Sequence, residues 1–290
     1  MQVIVHGGAG GVPEEPESRQ AVLDDAASAG AARERPVEAV CDAVAVLESS
    51  PRFNAGTGGA VQSDGTVRTD AGIMAEDRSV GAACSMEGVE NAVAVARAVM
   101  EGTPHVLLAG DRAVEFAADY GIETGVDCLT EETRARWEEL DPPEGGPSEQ
   151  LAWVTERFGG TTADPASDHD TVGAVASDGE RVAAATSTGG RWLALAGRVG
   201  DVPQVGSGFY ATPAGGASAT GAGEDIARVT LSRLAVDGLE AGDTPETAAE
   251  TAIEEFESLT GSTAGIIVCD GEEVGSAYNS DGMQIAVANR

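Results

Sequence analysis

One threonine stands where the chain could generate its own catalytic group. Residues 167–179 read SDHDTVGAVASDG, and an apolar, strand-like run starts at Thr171 directly after a polar stretch. A threonine hydroxyl is a weak nucleophile that needs an adjacent base. If the bond between Asp170 and Thr171 were cut, Thr171 would gain a free α-amine, whose ordinary pKa of about 7.7–8.0 suits that role. An ordinary threonine at the start of a strand is the alternative that these residues alone leave open.

The composition and the motifs exclude several other sources of a nucleophile or base. All 17 basic residues are arginines, so the chain has no lysine for a Schiff base, a Ser-Lys dyad or a phosphate-binding loop. It also lacks the GxSxG motif that places a catalytic serine on a sharp turn. The three histidines are far apart with no HExxH motif, and the spacing of the four cysteines fits no metal or disulfide template. We therefore expect buried, unpaired thiols and no metal held by side chains.

The formal net charge of −32 argues against nucleic-acid binding, because contacts to phosphate need a basic surface. The acids extend from Glu14 to Asp281, which favours the solvated surface of a salt-adapted protein over an acidic face for a partner. No apolar run is long enough to span a bilayer, and MQVIVHGGAG lacks the basic region of a signal peptide. These features predict a cytoplasmic protein that binds neither nucleic acid nor membranes.

The elements that must position Thr171 alternate between strands and helices. A first strand is predicted at 2–6. Asp-Gly pairs, which accept the positive φ of tight turns, predict hairpins within 62–72, 175–185 and 268–277. Apolar residues at helical spacing predict helices at 36–48, 88–101, 109–120, 224–237 and 245–259. This order indicates an α/β class in which helices cover antiparallel strands.

Residues 123–170 interrupt this alternation. One short helix is predicted around 131–140, after which prolines and glycines at 142–147 disrupt the pattern. We expect residues 141–170 to be a flexible linker, and a long linker within a compact domain is usually functional or disordered. The linker ends at the bond between Asp170 and Thr171.

Long motifs along nearly the whole chain resemble one protein family. They are VHGGAG at 5–10, FNAGTGGAVQSDG at 53–65, DAGIM at 70–74, NAVAVARAVMEGTPHVLLAG at 91–110, TVGAVASDGERVAAATSTGG at 171–190, GRVGD at 197–201, TGAGED at 220–225 and NSDGM at 279–283. Their order and content resemble the plant-type (type 2) L-asparaginase and isoaspartyl peptidase family of N-terminal-threonine (Ntn) hydrolases.

The resemblance implies a single domain, residues 1–290, folded as a four-layer αββα sandwich. It implies self-cleavage of the Asp170–Thr171 bond into an α subunit, 1–170, and a β subunit, 171–290, with two such pairs forming a dimer. The implied reaction is hydrolysis of the side-chain amide of L-asparagine and of isoaspartyl (β-aspartyl) peptides. The substrate would be a small molecule or dipeptide, and no cofactor would be needed.

The same resemblance assigns catalytic roles to matching positions. Thr171 would be the nucleophile, and Thr188 would orient its hydroxyl and amine. Thr220 and the N–H of Gly221 would face the negative charge that develops on the substrate oxygen, and loss of one such donor typically costs about 10²–10³ in rate.

Further positions would bind substrate or support cleavage. Arg198 would hold the substrate α-carboxylate in a two-point contact, and Asp201 would hold the α-amine next to Gly221. Asn54 would support cleavage beside Asp170. The loop Phe53–Ala60 resembles the family's sodium-binding loop, which uses backbone carbonyls, so a structural sodium ion is implied without side-chain ligands.

Three departures from the family pattern leave the substrate open. Glycine usually precedes the nucleophile, whereas here His169 and Asp170 do, as in the glycosylasparaginases; Asp170 could assist cleavage by strain or as a base. RWLALA makes one wall of the pocket more apolar, and Ala222 replaces a threonine. The alternatives are therefore a glycosylasparaginase-like amidohydrolase, a self-processing endopeptidase for a protein substrate, and an inactive acidic binding protein that retains the fold.

Overall fold

Alternating side chains on the first strand show how the molecule is layered. Val3 and Val5 are buried in one core with helical residues, whereas Ile4, between them, is buried in a second core with another sheet. Successive strand side chains point to opposite faces, so a strand apolar on both faces belongs to an enclosed layer. The computed structural model that shows this describes residues 1–13, 15–158 and 171–290.

Two sheets form the middle layers. Their strands are β1 (Gln2–Gly10), β2 (Arg68–Ala75), β3 (Val80–Glu87), β4 (Leu107–Ala109), β5 (Val172–Ser177), β6 (Val182–Thr188), β7 (Phe209–Thr212), β8 (Gly215–Gly221), β9 (Ala264–Cys269), β10 (Val274–Tyr278) and β11 (Gly282–Asn289). Within the described residues, the larger sheet has the order β11-β1-β5-β6-β2-β3-β4 and the smaller the order β10-β9-β8-β7. All pairings are antiparallel except that of β3 with β4. Strand β5, which starts after Thr171, is therefore paired on both sides.

The helices of the described residues are α1 (Pro16–Ala31), α2 (Pro36–Glu48), α3 (Ala92–Gly102), α4 (Gly110–Asp119), α5 (Glu131–Glu138), α6 (Pro147–Phe158), α7 (Gly223–Val229), α8 (Leu231–Ala241) and α9 (Pro245–Thr260). Helices α1 to α4 pack on the larger sheet, and α8 and α9 pack on the smaller one. The layers follow in the order helix, sheet, sheet, helix, which confirms the predicted αββα sandwich.

The two sheets approach closely at one glycine. A Cβ added to Gly72 would lie 1.9 Å from the ring of Phe209, which is fully buried. Any side chain at residue 72 would therefore force the sheets apart. The glycine of the DAGIM motif thus has a packing reason that requires no catalytic role.

Several predicted elements have the predicted bounds. Helix α2 begins at Pro36 and ends at Glu48. Asp-Gly turns join β5 to β6 and β9 to β10, with φ of 92° at Gly179 and 99° at Gly271. The hairpin predicted within 62–72 is shorter, since an isolated bridge between Val61 and Val67 precedes β2. Helix α9 confirms the helix predicted at 245–259.

Three elements differ from the predictions. The helix expected at 224–237 is broken between α7 and α8, where Thr230 has a left-handed φ of 54°. Helix α6 lies within the segment expected to be a flexible linker; its first residue is Pro147, and proline is compatible with the first turn of a helix. Helix α1 was not predicted, because its alanine-rich sequence has weak apolar periodicity. His169 and Asp170 lie outside the described residues.

The four cysteines lie in the interior as free thiols. All four are buried and none forms a disulfide, as the sequence predicts. Burial raises the pKa of Cys41 and Cys84 to about 12, so these thiols stay protonated at neutral pH. In the part of the chain that the structure describes, no helix is both long and apolar enough to cross a membrane.

Candidate active site

Thr171 lies immediately before strand β5, whose neighbours in the larger sheet are β1 and β6. Its side chain is buried, with 9% of the residue exposed. Its hydroxyl donates to the hydroxyl of Thr188, at the end of the neighbouring strand β6, over 3.3 Å. The Thr188 hydroxyl also accepts from the backbone N–H of Gly190 over 3.1 Å. The structure therefore brings together the two threonines that the sequence assigned to nucleophile and orienting group.

Asn54 joins the FNAG loop to the turn that follows Thr188. Its side-chain Nδ2 donates to the backbone carbonyl of Gly190 over 2.6 Å, and the backbone carbonyl of Asn54 accepts from the N–H of Gly189 over 2.8 Å. Its Oδ1 accepts from the N–H of Ala60. A Cβ on Gly189 would lie 2.3 Å from the Cα of Gly59, so the loop and turn touch backbone to backbone. Asn54 thus fixes the turn beside Thr188, while its predicted role at the scissile bond involves residues outside the described ones.

A polar chain runs behind Thr171, between the two sheets. His6 on β1 contacts the hydroxyl of Ser218 on β8 through Nε2 at 2.9 Å, and Ser218 contacts Thr186 on β6 at 2.6 Å. Burial lowers the pKa of His6 to about 3, against a smaller opposing effect of the Thr171 backbone. His6 is therefore neutral at physiological pH and is a poor candidate for a base that must accept a proton.

Thr220 and Gly221 end strand β8 on the same side as Thr171. In the β1–β5 register His6 lies opposite Gly173, so the chain from His6 to Ala9 runs in the direction of Thr171. The N–H of Ala9 lies 3.4 Å from the Thr220 hydroxyl, which is fully buried. Gly221 has φ of 133°, a conformation that favours glycine. This arrangement suits donors that must be fixed before a reaction begins.

Arg198 and Asp201 converge at the start of helix α7. A Cβ added to Gly223 would lie 2.6 Å from Oδ1 of Asp201 and 2.8 Å from Nη2 of Arg198. Arg198 donates from Nε and Nη2 to the two oxygens of Glu224, each over 2.8 Å. Burial opposes the charge on Glu224, but the hydrogen bonds and charge of Arg198 outweigh it and lower the pKa of Glu224 to about 2.

Asp201 is a buried acid with an unused acceptor. Its Oδ2 has no hydrogen-bond partner among the described residues, and the residue is 5% exposed. Burial raises the pKa of Asp201 to about 7, and the charge of Arg198 works against that rise. A buried carboxylate oxygen without a partner costs free energy unless a ligand supplies a donor. The arrangement therefore suits an ammonium group that binds beside Arg198.

Three acids near these groups were not assigned by the sequence. Glu224 lies within the TGAGED motif, and its position in the first turn of α7, after Gly221, was the available signal. Asp70 accepts from the N–H of Ser85 over 2.6 Å and lies opposite Thr188 in the sheet register. Burial raises the pKa of Asp70 to about 7.

Glu48 is the third of these acids. It is fully buried and accepts from the hydroxyl of Ser187, the neighbour of Thr188, over 2.5 Å. Only the tertiary structure places Glu48 near the site.

The loop Phe53–Ala60 presents backbone oxygens of the kind that an alkali cation takes. A Cβ on Gly58 would lie 2.7 Å from the carbonyl oxygen of Phe53 and 3.2 Å from that of Pro51. Carbonyl oxygens can replace the hydration shell of such ions, so these residues fit the implied sodium. Among residues 1–13, 15–158 and 171–290, no group of three His, Cys, Asp or Glu side chains is arranged to hold a metal ion.

Comparison with known proteins supports the assignment over the full length. A family model described as Asparaginase matches residues 1–290. The chain is 42% identical to a plant-type L-asparaginase of Thermococcus kodakarensis, over 98% of this chain and 95% of the relative. It is 42% identical to a plant-type L-asparaginase of Pyrobaculum calidifontis, over 97% and 94%. It is 38% identical to an isoaspartyl peptidase/L-asparaginase of Danio rerio, over 92% and 85%.

Proposed function

Because the chain belongs to the asparaginase family, we propose that it hydrolyses the side-chain amide of L-asparagine and the isoaspartyl bond of β-aspartyl peptides. The observation that carries this proposal is the pairing of two partial sites. Thr171 and Thr188 share a hydroxyl contact, and Arg198 and Asp201 converge at Gly223, where Oδ2 of Asp201 has no hydrogen-bond partner among the described residues. The first pair suits a nucleophile and the second suits an amino-acid zwitterion.

The nucleophile forms by cleavage of the Asp170–Thr171 bond. The Thr171 hydroxyl attacks the carbonyl carbon of Asp170, and the acyl group moves from nitrogen to oxygen to give an ester. Water hydrolyses the ester, which leaves a carboxylate on Asp170 and a free amine on Thr171. This amine is the base that the hydroxyl lacked. Burial lowers the pKa of His6 to about 3, which makes its imidazole too weak a base, and the chain has no lysine.

The catalytic cycle uses the same hydroxyl. The Thr171 oxygen attacks the carbonyl carbon of the substrate side chain while the α-amine takes the hydroxyl proton. Thr220 and the N–H of Gly221 stabilise the oxyanion. The amine returns the proton to the leaving nitrogen, which departs as ammonia or as a peptide amine. Water then attacks the β-aspartyl ester, and aspartate and the free Thr171 hydroxyl are released.

Recognition of the zwitterion places the reacting carbonyl. The Arg198 guanidinium, held by Glu224, offers its remaining donors to the substrate α-carboxylate. Oδ2 of Asp201, which has no hydrogen-bond partner among the described residues, accepts from the substrate ammonium. Both groups recognise atoms shared by asparagine and β-aspartyl peptides, so one pocket serves both substrates.

Two further parts of the proposal concern the assembly. The carbonyl oxygens of Pro51 and Phe53 would hold a structural sodium ion beside the loop that Asn54 joins to the Thr188 turn. The cleaved α and β subunits stay together, because β5 and β6 pair within the sheet that also contains β1 and β2. Two αβ pairs form a dimer, a stoichiometry that light scattering would measure.

Product analysis tests the proposed activity. The protein, incubated first in concentrated salt, is given L-asparagine, a β-aspartyl dipeptide or a glycosylated asparagine in separate reactions. We expect aspartate with ammonia from the first and aspartate with the free amino acid from the second. Exclusive release of the sugar amine from the third would favour the glycosylasparaginase-like alternative. The sequence feature that favours this alternative is the pair His169 and Asp170 before Thr171. No product from any substrate would contradict the proposed function and favour an inactive binding protein.

A further inference from the structure

The segment that carries Arg198 is supported by a turn from the other half of the chain. The N–H of Leu193 donates to the carbonyl of Val61 over 2.7 Å, and the N–H of Ser63 donates to the carbonyl of Ala194 over 2.8 Å. These are backbone bonds, so they fix where the segment lies without depending strongly on side-chain type. The turn belongs to the part of the chain before Thr171, whereas Arg198 follows Thr171.

Two buried side chains of that turn bind the backbone at Arg198 itself. Oε1 of Gln62 accepts from the N–H of Gly197 over 2.9 Å, and Nε2 of Gln62 donates to the carbonyl of Arg198 over 3.3 Å. The hydroxyl of Ser63 accepts from the N–H of Ala196 over 2.9 Å. Gln62 and Ser63 are each 1% exposed. Residues 196–198 therefore rest on two adjacent side chains, which we call the Gln62–Ser63 support.

The support is itself held from two sides. Nη1 of Arg68 donates to Oε1 of Gln62 over 2.7 Å. The hydroxyl of Ser63 donates to Oε1 of Gln150 on helix α6 over 2.8 Å. A hydroxyl has one proton and two lone pairs, so Ser63 can link Gln150 and Ala196 at the same time. Helix α6 is thereby connected to the Arg198 segment through one residue.

We propose that Gln62 and Ser63 are positioning residues that set Arg198 for the substrate α-carboxylate, and that helix α6 steadies them through Gln150. The proposal rests on the role of Arg198 in the proposed function. Glu224 fixes the end of the Arg198 side chain, and Gln62 fixes its backbone. A two-point contact tolerates little displacement, so a site that is ordered before binding loses less free energy than one ordered by its ligand.

Gln62→Met tests the support, because methionine has a similar size but removes all three hydrogen bonds of the Gln62 side chain. We expect KM for L-asparagine to rise at least about tenfold, since each lost hydrogen bond is worth roughly a factor of five. We expect kcat and the extent of self-cleavage to change little, because Thr171, Thr188 and Asn54 do not contact Gln62. Gln20→Met is the matched control: Gln20, on α1, donates to the carbonyl of Ile285 on β11, and the loss of this donor should leave KM unchanged.

Gln150→Leu provides a variant that does not disturb the buried core, since Gln150 is only partly buried. It removes the hydrogen bond from Ser63 and a longer bond, 3.4 Å, from Nε2 to the carbonyl of Gly145. Only the first bond reaches the Gln62–Ser63 support, so we expect KM to rise a fewfold, about fivefold at most. Combining Gln62→Met with Arg198→Lys gives a double-mutant cycle. If Gln62 acts through Arg198, the double variant should raise KM by less than the product of the two single effects.

The outcomes separate this inference from the proposed function. An unchanged KM in folded, active Gln62→Met would overturn the inference and leave the proposed activity intact, as would full additivity with Arg198→Lys. Binding of L-aspartate, measured by calorimetry, gives a readout that needs no turnover. Weaker aspartate binding in Gln62→Met than in the wild type would support the inference even if neither protein hydrolysed asparagine. Equal aspartate binding by the two proteins would overturn it.

Discussion

The hydroxyl of Thr171, the residue before strand β5, lies 3.3 Å from that of Thr188, the last residue of strand β6, and donates to it. Val172 lies opposite Ser187 in the antiparallel register, so Thr171 and Thr188 come together at one edge of the sheet. Thr188 cannot act as a base, but it can fix the direction of the Thr171 oxygen and its proton. This contact supports a catalytic role for Thr171 rather than a purely structural one before strand β5.

Thr188→Ala should lower kcat for L-asparagine by about a hundredfold or more while changing KM little. The variant leaves Thr171 and Gly190 without their shared partner, and misoriented reacting groups cost rates of this order. Thr188→Ser keeps the hydroxyl and should retain most of the activity. Steady-state kinetics of both variants checks this, and equal loss in the serine and alanine variants would count against an orienting hydroxyl.

Arg198→Lys should raise KM for L-asparagine by about tenfold or more, although the charge is retained. Lysine cannot make the two parallel bonds by which Arg198 holds Glu224, and a charge-assisted hydrogen bond is worth about 1.5–3 kcal/mol. Arg198→Ala should show a larger effect in the same direction. A lysine variant with wild-type KM would mean that the substrate carboxylate binds elsewhere.

Gly189→Ala should destabilise the protein and reduce self-cleavage. The new methyl would lie 2.3 Å from the Cα of Gly59 and 2.8 Å from Oδ1 of Asn54, so the loop and turn must separate. Overpacking of this kind typically costs about 1–3 kcal/mol. Gly11→Ala is the control, because a Cβ there would meet no atom of the described residues within 4 Å. Thermal melting of both variants, with a gel for the cleaved fraction, would contradict the expectation if they behaved alike.

Glu48→Gln should stabilise the protein increasingly as pH rises from 5 to 9. Burial raises the pKa of Glu48 from 4.5 to about 8, while hydrogen bonds from Ser187 and Val93 act against the rise. Between these values the native state keeps a proton that the unfolded chain has lost. Wild-type stability from this group is therefore present below about pH 5 and is lost as pH rises through 8. Glutamine stays neutral and escapes this loss.

The measurement is the difference in Tm between Glu48→Gln and the wild type across that pH range. Asp70 and Asp201, whose pKa values burial raises to about 7, contribute a similar pH dependence to both proteins, so it cancels in the difference. Glu48→Ala removes the same titrating group and also loses packing and acceptors, so its Tm should lie below that of Glu48→Gln by an amount that changes little with pH. A difference in Tm that stays constant from pH 5 to 9 would show that Glu48 is ionised in the folded protein.

The sequence was sufficient to predict the fold class and those candidate site residues that lie within recognisable motifs. Thr171 was recognisable from the abrupt change of pattern, and Arg198 and Asp201 from GRVGD. Apolar periodicity located α2 and α9, because each buries one face. It did not locate α1, whose buried residues are mostly alanine and glycine and give little contrast with the exposed face.

The remaining features depend on contacts between distant residues. Glu48 and Ser187 are 139 positions apart, and Ser63 and Gln150 are 87 apart, so no local pattern reveals either contact. The break at Thr230 also has no local marker, because threonine rarely adopts a positive φ. Salt adaptation, cytoplasmic location and the dimer remain predictions from composition and resemblance.

The central claim is that Thr171 becomes a catalytic N-terminus, and mass spectrometry of the denatured protein tests it most directly. After incubation in concentrated salt, we expect two fragments, residues 1–170 and 171–290, the second beginning with Thr171 and carrying a free amine. Thr171→Ala should remain a single chain of 29.2 kDa. A wild-type protein that stays intact while it hydrolyses asparagine, or one that is cut at another bond, would contradict the account.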